Sequence, residues 1–323
     1  MSQNSGVKAV LAAMVANISI AILKLVAWLL TGAASMLAEA VHSVADSANQ
    51  ILLLLGGKAA KKRPTTAHPF GYGRDRYISA FLVAIILFSM GGLFACYEAF
   101  NKFKEVREGH PNALLTSAWW WVPVAVLVGA IIAESLSLRT AIRETRAVKG
   151  NASLFRFIRS SKAPELPVIL LEDLGALTGL VFALVGVGMT LLTGSGYWDA
   201  AGTAAIGLLL VAIAIILAIE TKSMLIGESA SEEEIAKITA AFEATPGIKR
   251  IIYMKTVHFG PDEVMVAVKV CVDPELRAGE LSDVIDAAEA AVRAASPIVK
   301  AIYVEPDTNE DDLEDAIRED TSR

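Results

Sequence analysis

An apolar stretch long enough to cross a bilayer is interrupted by three ionisable residues, Glu39, His42 and Asp46, and runs on through Asn49 and Gln50 to Leu55. At about 100° per residue, positions i, i+3 and i+7 fall within roughly a 60° arc, so these three side chains point the same way. An ionisable group at membrane depth is costly unless it faces the protein interior, a wet cavity or a bound ion. Three on one stripe therefore read as part of an ion pathway. His42 and Asp46, four residues apart, bring an imidazole nitrogen and a carboxylate oxygen close enough to hold one divalent ion.

A second apolar stretch carries the run Leu170-Leu171-Glu172-Asp173-Leu174-Gly175. Adjacent helical residues diverge by about 100°, so at most one of these carboxylates points squarely at the His42 and Asp46 face. Asp173 is the expected ligand. Glu172 is left as a fourth ligand, a proton acceptor, or a group at the cytoplasmic membrane edge paired with a basic residue of the preceding loop. Zinc suits such a set, because it takes four nitrogen, oxygen or sulfur ligands at ~2.0–2.2 Å for nitrogen and oxygen. The same donors accept cobalt, cadmium, iron or manganese, although imidazole favours zinc over manganese. Each ligand must lose its proton to bind metal, and imidazole titrates near neutrality, so the site trades a cation for protons.

The elements that must position these groups are membrane helices. The chain has 323 residues, 54% of them hydrophobic, with a mean hydropathy of +0.51, and several spans are the default for such a composition. Six stretches reach the ~20 residues that cross hydrocarbon: Val7–Leu30, Ala33–Leu55, Tyr77–Phe100, Ser117–Leu138, Val168–Leu192 and Ala200–Leu225. The polar segment before the first span shows no cleavage site at signal-peptide length, so that span is expected to be retained. Lys58, Lys61, Lys62, Arg63, Arg74 and Arg76 lie between spans two and three, and Arg139, Arg143, Arg146, Lys149, Arg156, Arg159 and Lys162 between spans four and five. The positive-inside rule then places both termini in the cytoplasm. Trp119, Trp120 and Trp121 open span four on the other side, as an interfacial belt would. The sequon Asn151-Ala152-Ser153 falls in a cytoplasmic loop on this topology and carries no weight.

Beyond Leu225 the pattern changes. Ser231 followed by Glu232, Glu233 and Glu234 reads as a capped helix start. Ile248–Phe259 reads as a strand, and Val264, Val266, Val268, Val270 and Val272 alternate with period two, the mark of a half-buried strand. Leu281, Val284, Ile285, Ala288 and Val292 give a second helix its stripe, and Ile298–Val304 a last strand. The expected fold is a membrane all-α bundle of six transmembrane helices (1–227) plus a small α+β cytoplasmic domain of order α-β-β-α-β (228–305). An acidic tail (306–323), poor in apolar residues, is expected to be disordered.

A net charge of −6 and the lack of basic runs interleaved with aromatics argue against nucleic acid as a partner. Cys96 and Cys271, the two cysteines, suit neither a disulfide framework nor a thiolate cluster and read as small core residues. No nucleophile elbow, His-Glu-x-x-His or phosphate-cradling glycine loop occurs, so an enzyme is not expected.

The run Ala38-Glu39-Ala40-Val41-His42-Ser43-Val44-Ala45-Asp46, followed by His68-Pro69-Phe70-Gly71-Tyr72-Gly73-Arg74, resembles the cation diffusion facilitator family of divalent metal/proton antiporters. The likeness is strongest to the branch that contains the animal zinc transporter 9. It implies a homodimer in a lipid bilayer, with ferredoxin-like cytoplasmic domains that associate and with Zn2+ as the transported ion between spans two and five. It also implies metal ligation by His42, Asp46 and Asp173. The family pattern has His or Asp four residues before the span-five Asp; here that position is Ile169, which leaves Glu172 or water to complete the shell. His68 matches a peripheral metal position of the family, but Thr65 and Tyr72 stand where its partners would be, and it reads as a solvated loop residue. His258 is alone at a strand end, His110 carries no signal, and Lys24 at depth either snorkels or pairs with an acid such as Glu98 or Glu134.

The expected function is therefore proton-coupled export of zinc from the cytoplasm across a bacterial cytoplasmic membrane. The alternatives are export of manganese, iron or cobalt, or a metal-responsive membrane scaffold that transports nothing.

Overall fold

A computed structural model of the protein describes residues 3–149 and 153–308. The chain divides into two units, Met1–Lys58 with Arg76–Lys222, and Ala59–Asp75 with Ser223–Arg323. Most of the sequon and the acidic run after Thr308 lie outside the described residues.

The first unit is helical: α1 (Gln3–Thr31), α2 (Ala34–Ala59), α3 (Asp75–Ile86), a π-helical segment (Leu87–Leu93), α4 (Phe94–Arg107), α5 (Ala113–Thr116), α6 (Trp121–Lys149), α7 (Leu154–Ser160), α8 (Glu165–Thr193) and α9 (Tyr197–Ile226). The six expected spans correspond to α1, α2, the continuous α3–α4 rod, α6, α8 and α9. By length and composition, four described stretches can cross a membrane: Asp75–Arg107, Trp121–Arg146, Glu165–Thr193 and Tyr197–Ile226. The described part of α1 that is apolar, Asn17–Thr31, is shorter. Helix α2 is not among the four, as its polar stripe dilutes its apolar surface. The core between helices is made by Met36, Leu87, Leu127, Leu180, Ile206 and Leu210, all buried. Helix α6 runs on to Lys149, so Arg139, Arg143 and Arg146 ride a helix where the sequence suggested a loop. Arg, Ala and Glu are strong helix formers, and the helix continues through them. Helix α8 stops where Gly194 adopts φ +71 and donates its N–H to the Thr190 carbonyl, the left-handed cap that glycine takes without steric cost.

The second unit contains α10 (Glu232–Glu243), β1 (Ile248–Gly260), β2 (Glu263–Val272), α11 (Ala278–Ala295) and β3 (Val299–Asp307), in the order α-β-β-α-β. Its sheet has the order β1-β2-β3, antiparallel between β1 and β2 and parallel between β2 and β3. The Ser231 hydroxyl accepts the Glu234 N–H and caps α10. All five alternating valines of β2 are buried, against Ile238 and Phe242 of α10 and Ala288 and Val292 of α11. One boundary moves. Strand β3 continues past Glu305, pairing Lys269 with Glu305, Val270 with Pro306 and Cys271 with Asp307. Lys269 Nζ reaches Asp307 Oδ2 at 2.7 Å and Glu305 Oε1 at 3.6 Å, so these acids are tied to the sheet.

The segment Ala59–Asp75 belongs to this second unit. Phe70 stacks on Phe259 with ring centroids 4.7 Å apart, and the Arg74 guanidinium lies 5.1 Å from the same ring.

Candidate metal centre

Helix α2 is set by a residue far away in sequence. Asp199, in the first turn of α9, accepts the Ala34 N–H at 2.7 Å, the Ser35 N–H at 3.3 Å and the Ser35 hydroxyl at 2.5 Å. A carboxylate here satisfies two of the donors a helix start leaves open and complements its dipole. The cap anchors the first turn of α2, and with it the direction in which the polar stripe points.

Along that stripe His42 is 1% exposed, and its Nε2 lies 3.3 Å from Asp46 Oδ2. Buried side-chain atoms without a hydrogen-bond partner concentrate here: Glu39 Oε1, both ring nitrogens of His42, Asp46 Oδ1, Asn49 Oδ1 and Gln50 Oε1. The oxygens are acceptors, and a neutral imidazole offers one lone pair as well. A row of buried lone pairs lacking donors is the pattern a cation satisfies. The sequence pointed to His42 and Asp46; Asn49 and Gln50 are additions that the same helical period makes visible.

The charge of Glu39 is answered from α1. Lys24 Nζ lies 2.8 Å from Glu39 Oε2 and 2.8 Å from the Ser43 hydroxyl. Among the acids the sequence offered to Lys24, neither Glu98 nor Glu134 is its hydrogen-bonded partner in this ion pair. Glu39 reaches inward because Gly179 of α8 has no side chain, and a Cβ there would stand 2.8 Å from Glu39 Oε1.

The two carboxylates of α8 diverge as adjacent helical residues must. Glu172 is 7% exposed and accepts the Asn49 Nδ2–H at 2.6 Å, so it bridges to α2. Asp173 is half-buried and accepts the Ser137 hydroxyl of α6 at 2.9 Å. Glu134, three residues before Ser137, interacts electrostatically with Asp46, Lys24, Asp173 and His42. It is a further acid around the site, signalled in the sequence by a lone carboxylate in span four. The π-helical segment also packs here. A Cβ on Gly91 would lie 3.6 Å from His42 Nδ1, and π turns inside α-helices recur at functional sites.

Among the described residues, no group of three or more His, Cys, Asp or Glu side chains is already arranged to hold a metal ion. His42 and Asp46 lie side by side on α2, while Glu172 and Asp173 are engaged by Asn49 and Ser137. Two further histidines belong to the second unit. His68 is exposed, with its ring 4.7 Å from that of Tyr72. His258 is buried, with Nδ1 3.0 Å from the Gly260 carbonyl.

Membrane-length helices around a buried stripe of acceptors define a multi-pass membrane protein of the ion-carrier type. Residues 10–226 match the cation efflux transmembrane domain and residues 230–308 match the cation efflux protein cytoplasmic domain, and the chain belongs to this family of metal transporters. The proton-coupled zinc antiporter SLC30A9, mitochondrial, of Xenopus laevis is 32% identical over 253 residues, covering 77% of this chain and 44% of the relative. The chain thus spans less than half the length of that protein. The magnetosome protein MamB of a Magnetospira strain is 24% identical over 279 residues, covering 85% of this chain and 86% of the relative. A MamM CTD solved in a nickel form aligns at 22% identity and a TM-score of 0.24, over 25% of this chain and 100% of that one.

Proposed function

We propose that the protein is a proton-coupled antiporter that exports a divalent metal, zinc foremost, from the cytoplasm. The ion passes between α2 and α8, with His42 and Asp46 as its α2 donors and the carboxylates Asp173 and Glu172 on α8. The transport domain is residues 1–227, and the domain at 228–305 joins two copies into a homodimer. The membrane is a bacterial cytoplasmic membrane, with both termini inside. The names of the vertebrate relatives agree with zinc and with proton coupling.

The observation that carries the reading is the row of partnerless acceptor atoms on α2, centred on a histidine 1% exposed. Imidazole with carboxylates is a borderline-soft set that suits zinc better than harder ions. The ion displaces protons from these lone pairs when it binds, and protons displace it on the opposite side.

The test is zinc flux driven by a pH gradient in proteoliposomes. His42→Ala and Asp46→Ala should abolish both zinc movement and the accompanying proton flux while the protein elutes at its usual size. Unchanged zinc flux in either variant removes that residue from the path. Manganese, iron or cobalt outcompeting zinc in the same vesicles replaces zinc as the substrate.

A further inference from the structure

Glu39 has the position, the burial and the spare lone pair of an ion ligand. On α2 it lies three residues before His42 and seven before Asp46, within roughly a 60° arc of both. It is fully buried. Its Oε1 has no hydrogen-bond partner and lies where Gly179 of α8 leaves room, since a Cβ there would stand 2.8 Å away. The other carboxylate oxygen is held from α1. Lys24 Nζ lies 2.8 Å from Glu39 Oε2 and 2.8 Å from the hydroxyl of Ser43, the neighbour of His42 in the chain. The ammonium is buried as well, so solvent screens its charge little.

We infer that Lys24 is a specificity-determining residue of transport: it occupies Glu39 as a tethered cation and so keeps a further carboxylate out of the shell of the transported ion. The inference rests on the proposed reading of His42 and Asp46 as the α2 donors. A shell of one imidazole and few carboxylates suits a borderline ion such as zinc, whereas manganese and magnesium prefer oxygen donors. Freed from Lys24, Glu39 would add one oxygen donor and one negative charge a single turn from the imidazole, which favours the harder ions. Specificity is a difference of affinities, and it can be built by withholding a group that the competitor would use. The pair is neutral as a whole, so it shapes selection without adding to the charge of the loaded site. A pair that only joined α1 to α2 would affect stability and leave ion preference alone, which separates the two roles by experiment.

The experiment measures zinc and manganese uptake from an equimolar mixture into proteoliposomes, with zinc binding to the detergent-purified full chain followed by calorimetry. Lys24→Met frees Glu39 and should shift the uptake ratio toward manganese by about 10-fold, the size of effect that groups beside metal ligands exert. Lys24→Gln keeps an amide that donates to Glu39 and Ser43 but carries no charge. It covers the case in which Lys24→Met does not insert, and should shift the ratio the same way. Lys24→Met combined with Glu39→Met removes the carboxylate along with the ammonium and should restore the wild-type ratio. Glu39→Gln leaves the ammonium unmatched beside the site and should weaken zinc binding by about 10-fold. An unchanged ratio in Lys24→Met, or in Lys24→Gln where it takes that place, overturns the inference. So does a ratio that stays shifted in the double variant, or wild-type zinc binding in Glu39→Gln. His42→Ala is the control. If it still moves zinc, the proposed function has failed; if it does not, an unchanged ratio in the Lys24 variants strikes this inference alone.

Discussion

Lys24 Nζ and Glu39 Oε2 lie 2.8 Å apart, an ion pair that joins α1 to α2 with side chains 2% and 0% exposed. Two charges held this deep are stable only because each neutralises the other, and the Ser43 hydroxyl takes a second hydrogen bond from the ammonium. Glu39 of the pair sits one turn before His42, and the pair leaves the charge of the proposed donor set to Asp46 and the α8 acids.

Breaking one side strands the other. Lys24→Met should destabilise the protein by about 3–5 kcal/mol, read as a fall in the thermal midpoint in detergent. Replacing both partners by methionine should recover most of the loss, since an apolar pair carries no desolvation penalty. Additive losses in the double variant would show that the two residues do not act as a pair.

The cap on α2 predicts a local effect. Asp199→Ala removes the acceptor for the Ala34 and Ser35 N–H groups and should cost about 1–2 kcal/mol. Hydrogen exchange should quicken in the first turn of α2 and not in α6. Asp199→Asn keeps an oxygen and should lose less.

In the second unit, Glu234 accepts from Lys237 at 2.8 Å and from the Ser296 hydroxyl. These bonds, Lys237 first, hold its carboxyl below the usual carboxylate range. A folded value below the unfolded one means that the stabilisation is complete above the unfolded value, ~4.3, and fades as pH falls through the folded value. Glu234→Gln should therefore be less stable by about 0.5–1.5 kcal/mol at neutral pH, measured by thermal melts of the full chain. The gap to wild type should narrow as the pH falls below about 4.

Protons and metal compete for the same lone pairs in the proposed centre, so zinc affinity should fall as pH falls. Calorimetry of zinc binding in two buffers of different ionisation enthalpy should show proton release. The number released should drop in Asp46→Asn, which has no proton to give up. Equal heats in the two buffers would argue against coupling.

Much of this was readable along the chain. The stripe of Glu39, His42 and Asp46 and the valine alternation of β2 depend on fixed local periods, one of about 100° per residue and one of two residues. The acids of α8 were visible for the same reason, and so was the Ser231 cap. The partner of Lys24 was not, because several acids lie within reach of a flexible side chain and only packing selects among them. The attachment of Pro306 and Asp307 to the sheet was missed because their composition resembles a tail, whereas their backbone finds an open strand edge beside β2.

The chain by itself determined which residues share a face, where membrane-length helices run, and that a small α-β-β-α-β unit follows them. Those properties come from the rotation and rise of a single element. Only the tertiary structure decided that Glu172 turns to Asn49 while Asp173 turns to Ser137, and that Asp199 anchors the start of α2. The rotation of one helix against another is set by close packing between residues more than a hundred positions apart, as where Gly179 admits the carboxylate of Glu39. No local period encodes that contact.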